Sequence, residues 1–385
     1  MQSITIATEA ILTAVFTAPV SITEITQITE AERRNSLWRC HLQSADSTVP
    51  ETVIVKKTES DAFDPNDVDS FDAKRFYLGW AGLALIQRVA PEANYSSRFY
   101  GGSAAEGLIV MEDLGDNEPS LVEPLLEGNA AEAEHVLRQA YLSLAEMHRD
   151  TLGKTAVFDQ ILRKCHPKMT AGSDLFWLPG WRERLETKLP TFVPLEPNFM
   201  GEVNQLFQNV TSPGPFWGYA HKDPCPDNFI RRGSRYLLID FEISHFSSVL
   251  VDAVYARMTF PTCWCASRVP DGLVASLEAD YRKMLAQTHP VFADDALFNR
   301  ALVEACGYWF LQHLHWLLTL DVSGEWGIAS IKSRILSRLQ AFAELAEAHD
   351  CYPALRGTAS RLVDKLTTQW PETDPLPLYP AFRQT

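Results

Sequence analysis

At 385 residues and 43.3 kDa the chain exceeds one ordinary core and suits two parts of roughly 100–200 residues each. Hydrophobic residues at 46% and charged residues at 22% exclude a fibrous or disordered chain. With 34 Lys+Arg against 49 Asp+Glu the net charge is −15, which repels nucleic-acid phosphates and anionic lipid. Neither a nucleic acid nor a membrane is therefore expected as a partner.

The opening run, Met1 to Val20, has no Lys or Arg before its apolar stretch and carries Glu9 within it, so it reads as an N-terminal helix rather than a signal peptide. Short β-prone runs follow at residues 37–42 and 52–55, separated by the polar turn Ser44-Ala-Asp-Ser-Thr48. A helix is expected over residues 72–89, then strands at 96–100 and 108–111 joined by a turn at 101–107. After Glu112-Asp-Leu-Gly115 the periodicity becomes helical: Leu137, Ala140, Tyr141, Leu144 and Met147 share one face. Similar stripes run through 273–285, 301–320, 335–345 and 355–366, interrupted by a turn-and-strand segment at 217–242. The most apolar run, 307–320, is broken by Gln312, His313 and His315 and falls short of the ~20 residues of a membrane span. The end, from Trp370 to Pro380, holds four prolines and is expected to lie extended along the surface.

These runs define an α+β chain. Residues 1–111 form a small β-rich N-lobe, 112–115 a connection, 116–369 a larger, mainly helical C-lobe, and 370–385 a Pro-rich tail. Seven scattered cysteines favour free thiols in a reducing compartment, and a soluble cytoplasmic protein is expected.

The informative stretch is Ala220-His-Lys-Asp-Pro-Cys-Pro-Asp-Asn-Phe-Ile230, followed by Tyr236-Leu-Leu-Ile-Asp-Phe-Glu242. The spacing is H-x-D-x-x-x-x-N, with a second Asp twelve residues after the Asn. Phosphoryl transfer needs few protein groups: a carboxylate for the acceptor hydroxyl, and oxygen ligands that hold Mg²⁺ against nucleotide phosphates. Asp223 fits the first role, Asn228 and Asp240 the second. Pro224 and Pro226 stiffen the loop, and a turn at Arg231-Arg-Gly-Ser-Arg235 would fold the strand carrying Asp240 back beside Asn228. An ordinary β-hairpin with solvated acids is the competing reading, and for any single residue it would win.

This loop and hairpin resemble those of the aminoglycoside phosphotransferase and choline kinase family, small-molecule kinases with a bilobal protein-kinase-like fold. The resemblance covers most of the chain and implies ATP and Mg²⁺ as cofactors and a small-molecule hydroxyl as acceptor, with Asp223 as base and Asn228 and Asp240 as metal ligands. By similarity Lys56 contacts the α/β-phosphates, and Val110-Met-Glu-Asp-Leu-Gly115 is the hinge whose backbone, at Glu112, Asp113 and Leu114, holds adenine. Asp252 matches the acid that braces the catalytic loop, and His221 is a structural member of that loop. A monomer or homodimer is expected.

The departures are specific. The family's helix glutamate, partner of the strand lysine, falls on Gly79; Asp72 lies about two turns away. The loop Glu32-Arg-Arg-Asn-Ser36 has no glycine where phosphates are usually covered, so Arg33 or Arg34 is a candidate phosphate contact, against a solvated loop charge. Lys222 stands where glycine is usual. These departures raise a kinase-like binding module with weak or no catalysis as the alternative. A protein kinase is disfavoured by the short interval from Asp240 to Asp252.

Several signals are set aside. His148-Arg-Asp150 copies a kinase triplet, but the position that should be Asn is Thr155, so a helix C-terminus is the better reading. Gly153-Lys-Thr155 lacks the leading glycine of a P-loop. Cys263 and Cys265, with Cys225, lack a second zinc-type pair. Trp264 and Arg268 are candidate acceptor contacts against core packing and a surface position. Glu242 is weighed as a further metal ligand against a merely neighbouring acid.

Overall fold

β-Branched and apolar residues in the first hundred positions pair into a sheet because one side of each strand can be buried. In the computed structural model, which describes residues 2–29, 34–116, 119–170, 180–212 and 214–383, these strands are preceded by helix α1 (Gln2–Phe16). The strands are β1 (Ser21–Gln27), β2 (Asn35–Gln43) and β3 (Thr52–Thr58), then, after helix α2 (Phe71–Val89), β4 (Phe99–Ser103) and β5 (Leu108–Glu112). They form a five-stranded sheet in the order β1-β2-β3-β5-β4, antiparallel throughout. Val53, Val55, Leu108 and Val110 alternate onto one face and pack with Cys40 and with Ile4 and Leu12 of α1.

Strand β1 was not expected, because a bulge between Ile22 and Glu24 breaks the two-residue alternation that marks a strand. Strand β4 starts later than expected and runs through Gly101 and Gly102 instead of turning there. A Cβ on Gly102 would stand 2.9 Å from the Trp80 ring of α2, so only glycine lets the helix close on this strand. Helix α2 begins where the Ser70 side chain accepts from Ala73 N–H, with Asp72 in its first turn.

The chain continues as α3 (Val122–Leu126), α4 (Ala130–Thr151), α5 (Thr155–Cys165), α6 (Trp181–Thr187) and α7 (Phe199–Thr211). Strands β6 (Trp217–Ala220), β7 (Phe229–Arg232), β8 (Arg235–Leu238) and β9 (His245–Ser248) follow, then α8 (Leu250–Ala253), α9 (Asp271–Ala286) and α10 (Asp295–Thr319). Two-residue strands β10 (Glu325–Trp326) and β11 (Ala329–Ser330) lead into α11 (Ile331–Ala348) and α12 (Pro353–Gln369). Two compact units result. The first joins Met1–Glu118 with Thr155–Ser173, which carries α5 against α2, and with Leu237–Ser244; the second holds the remainder.

The second unit is mainly helical, and α4, α9, α10, α11 and α12 carry the five expected stripes. Helix α10 is its axis: Tyr308, Trp309, Phe310 and Leu311 are all fully buried, as a helix apolar on every side must be. Gly307 lets α7 approach, since a Cβ there would meet Leu206 at 2.1 Å. Strand β6 pairs antiparallel with β9, and β7 with β8 across Gly233, whose φ is +64°.

Two expectations are corrected. The tail is extended but is no surface strap: Leu376, Tyr379 and Ala381 are buried, and Arg268 N–H donates to Pro377 O while Tyr379 N–H donates to Arg268 O. Its apolar residues alternate with the prolines and so reach the interior that the prolines themselves do not need. The cysteines are not all free, because Cys225 and Cys263 form a disulfide. Sequence separation hid the pairing, which depends on the turn at 255–263. Cys40, Cys165, Cys265, Cys306 and Cys351 are free. Among the described residues no helix is long and apolar enough to cross a membrane.

Candidate functional site

In the second unit, β6 delivers the chain at Ala220 into the loop that carries His221, Asp223 and Asn228. Asp252, on α8 and fully buried, accepts from His221 N–H at 2.6 Å and from Lys222 N–H at 2.8 Å. Two backbone donors on one buried carboxylate fix the loop by charge-assisted hydrogen bonds. The same carboxylate meets His148 Nε2 at 3.1 Å, and His148 Nδ1 lies 2.7 Å from Tyr281 OH. His148 does lie in the last turn of its helix, as expected, but it also completes this network. The His221 ring is buried, and its Nδ1 accepts from Asp223 N–H at 3.2 Å.

Lys222 occupies the left-handed region at φ +62°, where glycine is the easy residue. Its side chain is fully buried, with Nζ 2.7 Å from His245 Nε2 and 3.2 Å from Tyr308 OH. The backbone cost of a non-glycine residue is thus offset by an anchor in the core.

Asp223 is half-buried. Its Oδ1 accepts from Tyr255 OH at 3.3 Å and from Thr262 Oγ1, and the Asn228 amide NH₂ donates to its Oδ2 at 3.2 Å and to its backbone O at 2.8 Å. The Asn228 amide oxygen remains as the acceptor. Burial, then the adjacent Asp223 charge, pushes the Tyr255 phenol well above its usual range, so it stays a neutral donor. The segment bearing Thr262 is held from behind by two buried guanidiniums of α11. Arg338 donates to the carbonyls of Met258, Thr259 and Phe260, and Arg334 to those of Cys263 and Trp264. Trp264 is exposed, its indole N–H donating to Asp227 Oδ2 at 2.9 Å, while Arg268 pairs with Asp271 at 3.5 Å on the surface.

Tyr255 escaped sequence reasoning, as did the contacts of Thr262 with Asp223 and of His148 with Asp252. Tyr255 follows Asp252 by three residues, which puts both on one helical turn, and that was the available signal. Thr262 had none, since its position depends on the arginine clamp.

In the first unit, Lys56 of β3 lies between two carboxylates, with Nζ 2.7 Å from Asp240 Oδ1 and 2.6 Å from Glu242 Oε1. Burial alone would lower the Lys56 pKa, but Asp240 and Glu242 outweigh it and hold the ammonium above its ordinary value. Asp240 has φ +64° and keeps part of its carboxylate exposed. Glu242 is buried and also receives Arg75 of α2, with Nε at 2.9 Å and a terminal nitrogen at 2.7 Å, together with Arg34 and the Asn35 amide. Against the burial penalty, Lys56, Arg75 and Arg34 draw its pKa far below the carboxylate range. Surrounded in this way, Glu242 is the shared counter-ion of Lys56, Arg75 and Arg34. Asp72 instead accepts from Ser60 Oγ at 2.5 Å. Glu32 and Arg33 lie outside the described residues.

At the expected hinge, Glu112 N–H donates to Arg98 O at 2.8 Å inside the sheet. Asp113 is gripped by Arg39, at 2.5 Å from Nε, and accepts from Gly115 N–H at 2.9 Å. Among the described residues no group of three or more His, Cys, Asp and Glu gathers as a metal site.

No family model matches the chain, and no curated protein matches it. Solved structures do match. A choline kinase from Cryptosporidium parvum Iowa II is 12% identical, with 88% of this chain and 93% of that chain covered at a TM-score of 0.48. The choline kinase LicA from Streptococcus pneumoniae is 14% identical, with 89% and 100% covered at 0.42. The macrolide 2'-phosphotransferase MphH from Brachybacterium faecium is 13% identical, with 88% and 97% covered at 0.43.

Proposed function

We propose that the protein is an ATP-dependent phosphotransferase that moves the γ-phosphate to a hydroxyl of a small molecule. The observation that supports it most is the Lys56 ammonium held 2.7 Å from the partly exposed carboxylate of Asp240. A strand cation paired with a carboxylate at the end of Ile239-Asp-Phe-Glu242 is the pairing a polyphosphate with its counter-cation requires. The donor set suits Mg²⁺, a hard ion that prefers oxygen. Asp240 offers a carboxylate, and Asn228 has committed its NH₂ to Asp223, which leaves its amide oxygen. Asn228 and Asp240 are the proposed ligands, and the ion when bound would neutralise phosphate charge.

The chain's own residues do the remainder. Asp223 orients the acceptor hydroxyl and takes its proton, while Thr262 and Tyr255 hold the carboxylate in place by donating to Oδ1. Asp252 keeps the loop rigid through its two backbone donors, so that little reorganisation is needed at reaction. Lys56 binds the phosphates. The adenine edge would be read by backbone groups at Glu112, Asp113 and Leu114, the Glu112 N–H itself being used within the sheet. The binding-module alternative drew on the missing helix carboxylate at Gly79, and Glu242 supplies a carboxylate to Lys56.

The test is thermal shift with Mg-ATP, then ATP consumption across a panel of hydroxyl metabolites, for wild type, Asp223→Ala and Asp240→Ala. Wild type should turn over at least one acceptor. Asp223→Ala should keep nucleotide binding and lose transfer, and Asp240→Ala should lose both. Full turnover in either variant would refute the assigned roles.

A further inference from the structure

Helix α2 offers Lys56 no carboxylate, because the residue facing that region is Gly79. The space is filled from elsewhere in the unit: a Cβ on Gly79 would stand 3.6 Å from Glu242 Cγ and 3.8 Å from its Cα. A methyl there would be in ordinary contact with Glu242, and a larger side chain would compete with it for space; from this position the Glu242 carboxylate reaches Lys56 at 2.6 Å. The same carboxylate receives Arg75, so α2 contributes a cation where an anion would otherwise be needed. Arg34 and Asn35, at the start of β2, complete the ring around it.

We infer that Glu242 is a positioning residue that sets Lys56 for phosphate binding and tethers α2 to β3 through Arg75, with Gly79 kept small to admit it. The inference deepens the phosphotransfer reading and rests on it for the nucleotide, but the carboxylate exchange at Gly79 can be read without nucleotide. The charges are matched: three cations, Lys56, Arg75 and Arg34, meet three carboxylates, Asp240, Glu242 and, at 3.7 Å from Arg34, Asp72. Removing Glu242 would leave Arg75 and Arg34 to draw on Asp240 and pull Lys56 out of line.

The experiment moves the carboxylate. Four proteins are compared, wild type, Glu242→Ala, Gly79→Glu and the double variant Gly79→Glu/Glu242→Ala, by Tm without ligand and by MgADP affinity. Glu242→Gln is added because it keeps the shape should the alanine variant fold poorly. Glu242→Ala should lower Tm and weaken MgADP at least tenfold, with Glu242→Gln between it and wild type. Gly79→Glu alone should lower Tm, since two carboxylates then crowd one space. In the double variant, Tm should recover at least half of the loss and MgADP affinity should return to within threefold of wild type. A double variant no better than Glu242→Ala in either readout, or a Glu242→Ala protein that binds MgADP like wild type, would overturn the inference. If wild type binds no MgADP, the nucleotide reading falls, and the Tm comparison alone decides whether the carboxylate at Gly79 replaces that of Glu242.

Discussion

Lys222 Nζ sits 2.7 Å from His245 Nε2, a buried pair that ties the strained residue of the 221–228 loop to strand β9. Replacing Lys222 by alanine removes this anchor and retains the left-handed backbone, while glycine removes the anchor and relieves the backbone. Lys222→Gly should therefore be the more stable variant by about 1 kcal/mol, against the usual order of the two residues. Urea titration of both proteins checks it, and an alanine variant equal to or better than glycine would show that the backbone is not strained.

Each oxygen of Asp252 accepts from a backbone donor, His221 N–H on Oδ2 and Lys222 N–H on Oδ1. In Asp252→Asn one carboxylate oxygen becomes an NH₂ that must face a backbone N–H of His221 or Lys222. An unmet buried donor of this kind costs about 1–3 kcal/mol. Stability should fall by that amount, and turnover should fall further than nucleotide affinity, because the loop bearing Asp223 loosens. Equal losses in the two would mean that the carboxylate serves stability alone.

Arg338 is fully buried and donates to three backbone carbonyls and to Thr259 Oγ1. An ammonium cannot reproduce that fork, so Arg338→Lys should recover little of the loss seen in Arg338→Met, each costing about 3 kcal/mol. Thermal unfolding of the pair measures this, and a lysine variant near wild type would sink it.

His313 gives the pH dependence. Burial, then the neighbouring Arg338, drives its pKa well below the ordinary 6.5, and the half-buried His315 shifts the same way. The unfolded chain then binds protons that the folded chain refuses, so stability is complete above about pH 6.5 and falls as pH drops below it. Each such histidine contributes a slope of at most about 1.4 kcal/mol per pH unit. Unfolding free energies between pH 7.5 and 5 should fall less steeply in His313→Gln, and an unchanged slope would assign the effect to other groups.

The disulfide makes a counting prediction. Protein unfolded without reductant and alkylated should carry five labels, and seven after reduction, by intact mass. Reduction should cost up to about 4 kcal/mol, from the chain entropy of the 38-residue separation that the bond closes.

How much of this was legible in the sequence depended on distance along the chain. The helices announced themselves through local stripes, and the loop from His221 to Asn228 through local spacing. What escaped was set by remote partners or by local irregularity. The bulge at Ile22 and Glu24 hid β1, and Gly102 was read as a turn because Trp80 could not be foreseen beside it. Glu242 was weighed as a further metal ligand or a neighbouring acid, and its partners were not foreseen, since nothing in the sequence brings Lys56, Arg75 and Arg34 to it. The absent carboxylate at Gly79 and the extra one at Glu242 are two halves of a single compensation, visible only together.

The buried tail carries a consequence for biosynthesis. Tyr379 packs on Phe260 with ring centroids 5.5 Å apart, and Leu376 and Ala381 fill the same interior. A nascent polypeptide therefore cannot finish the helical unit's core until residues 376–381 have been translated. Until then the greasy surface around Phe260 stays open to water.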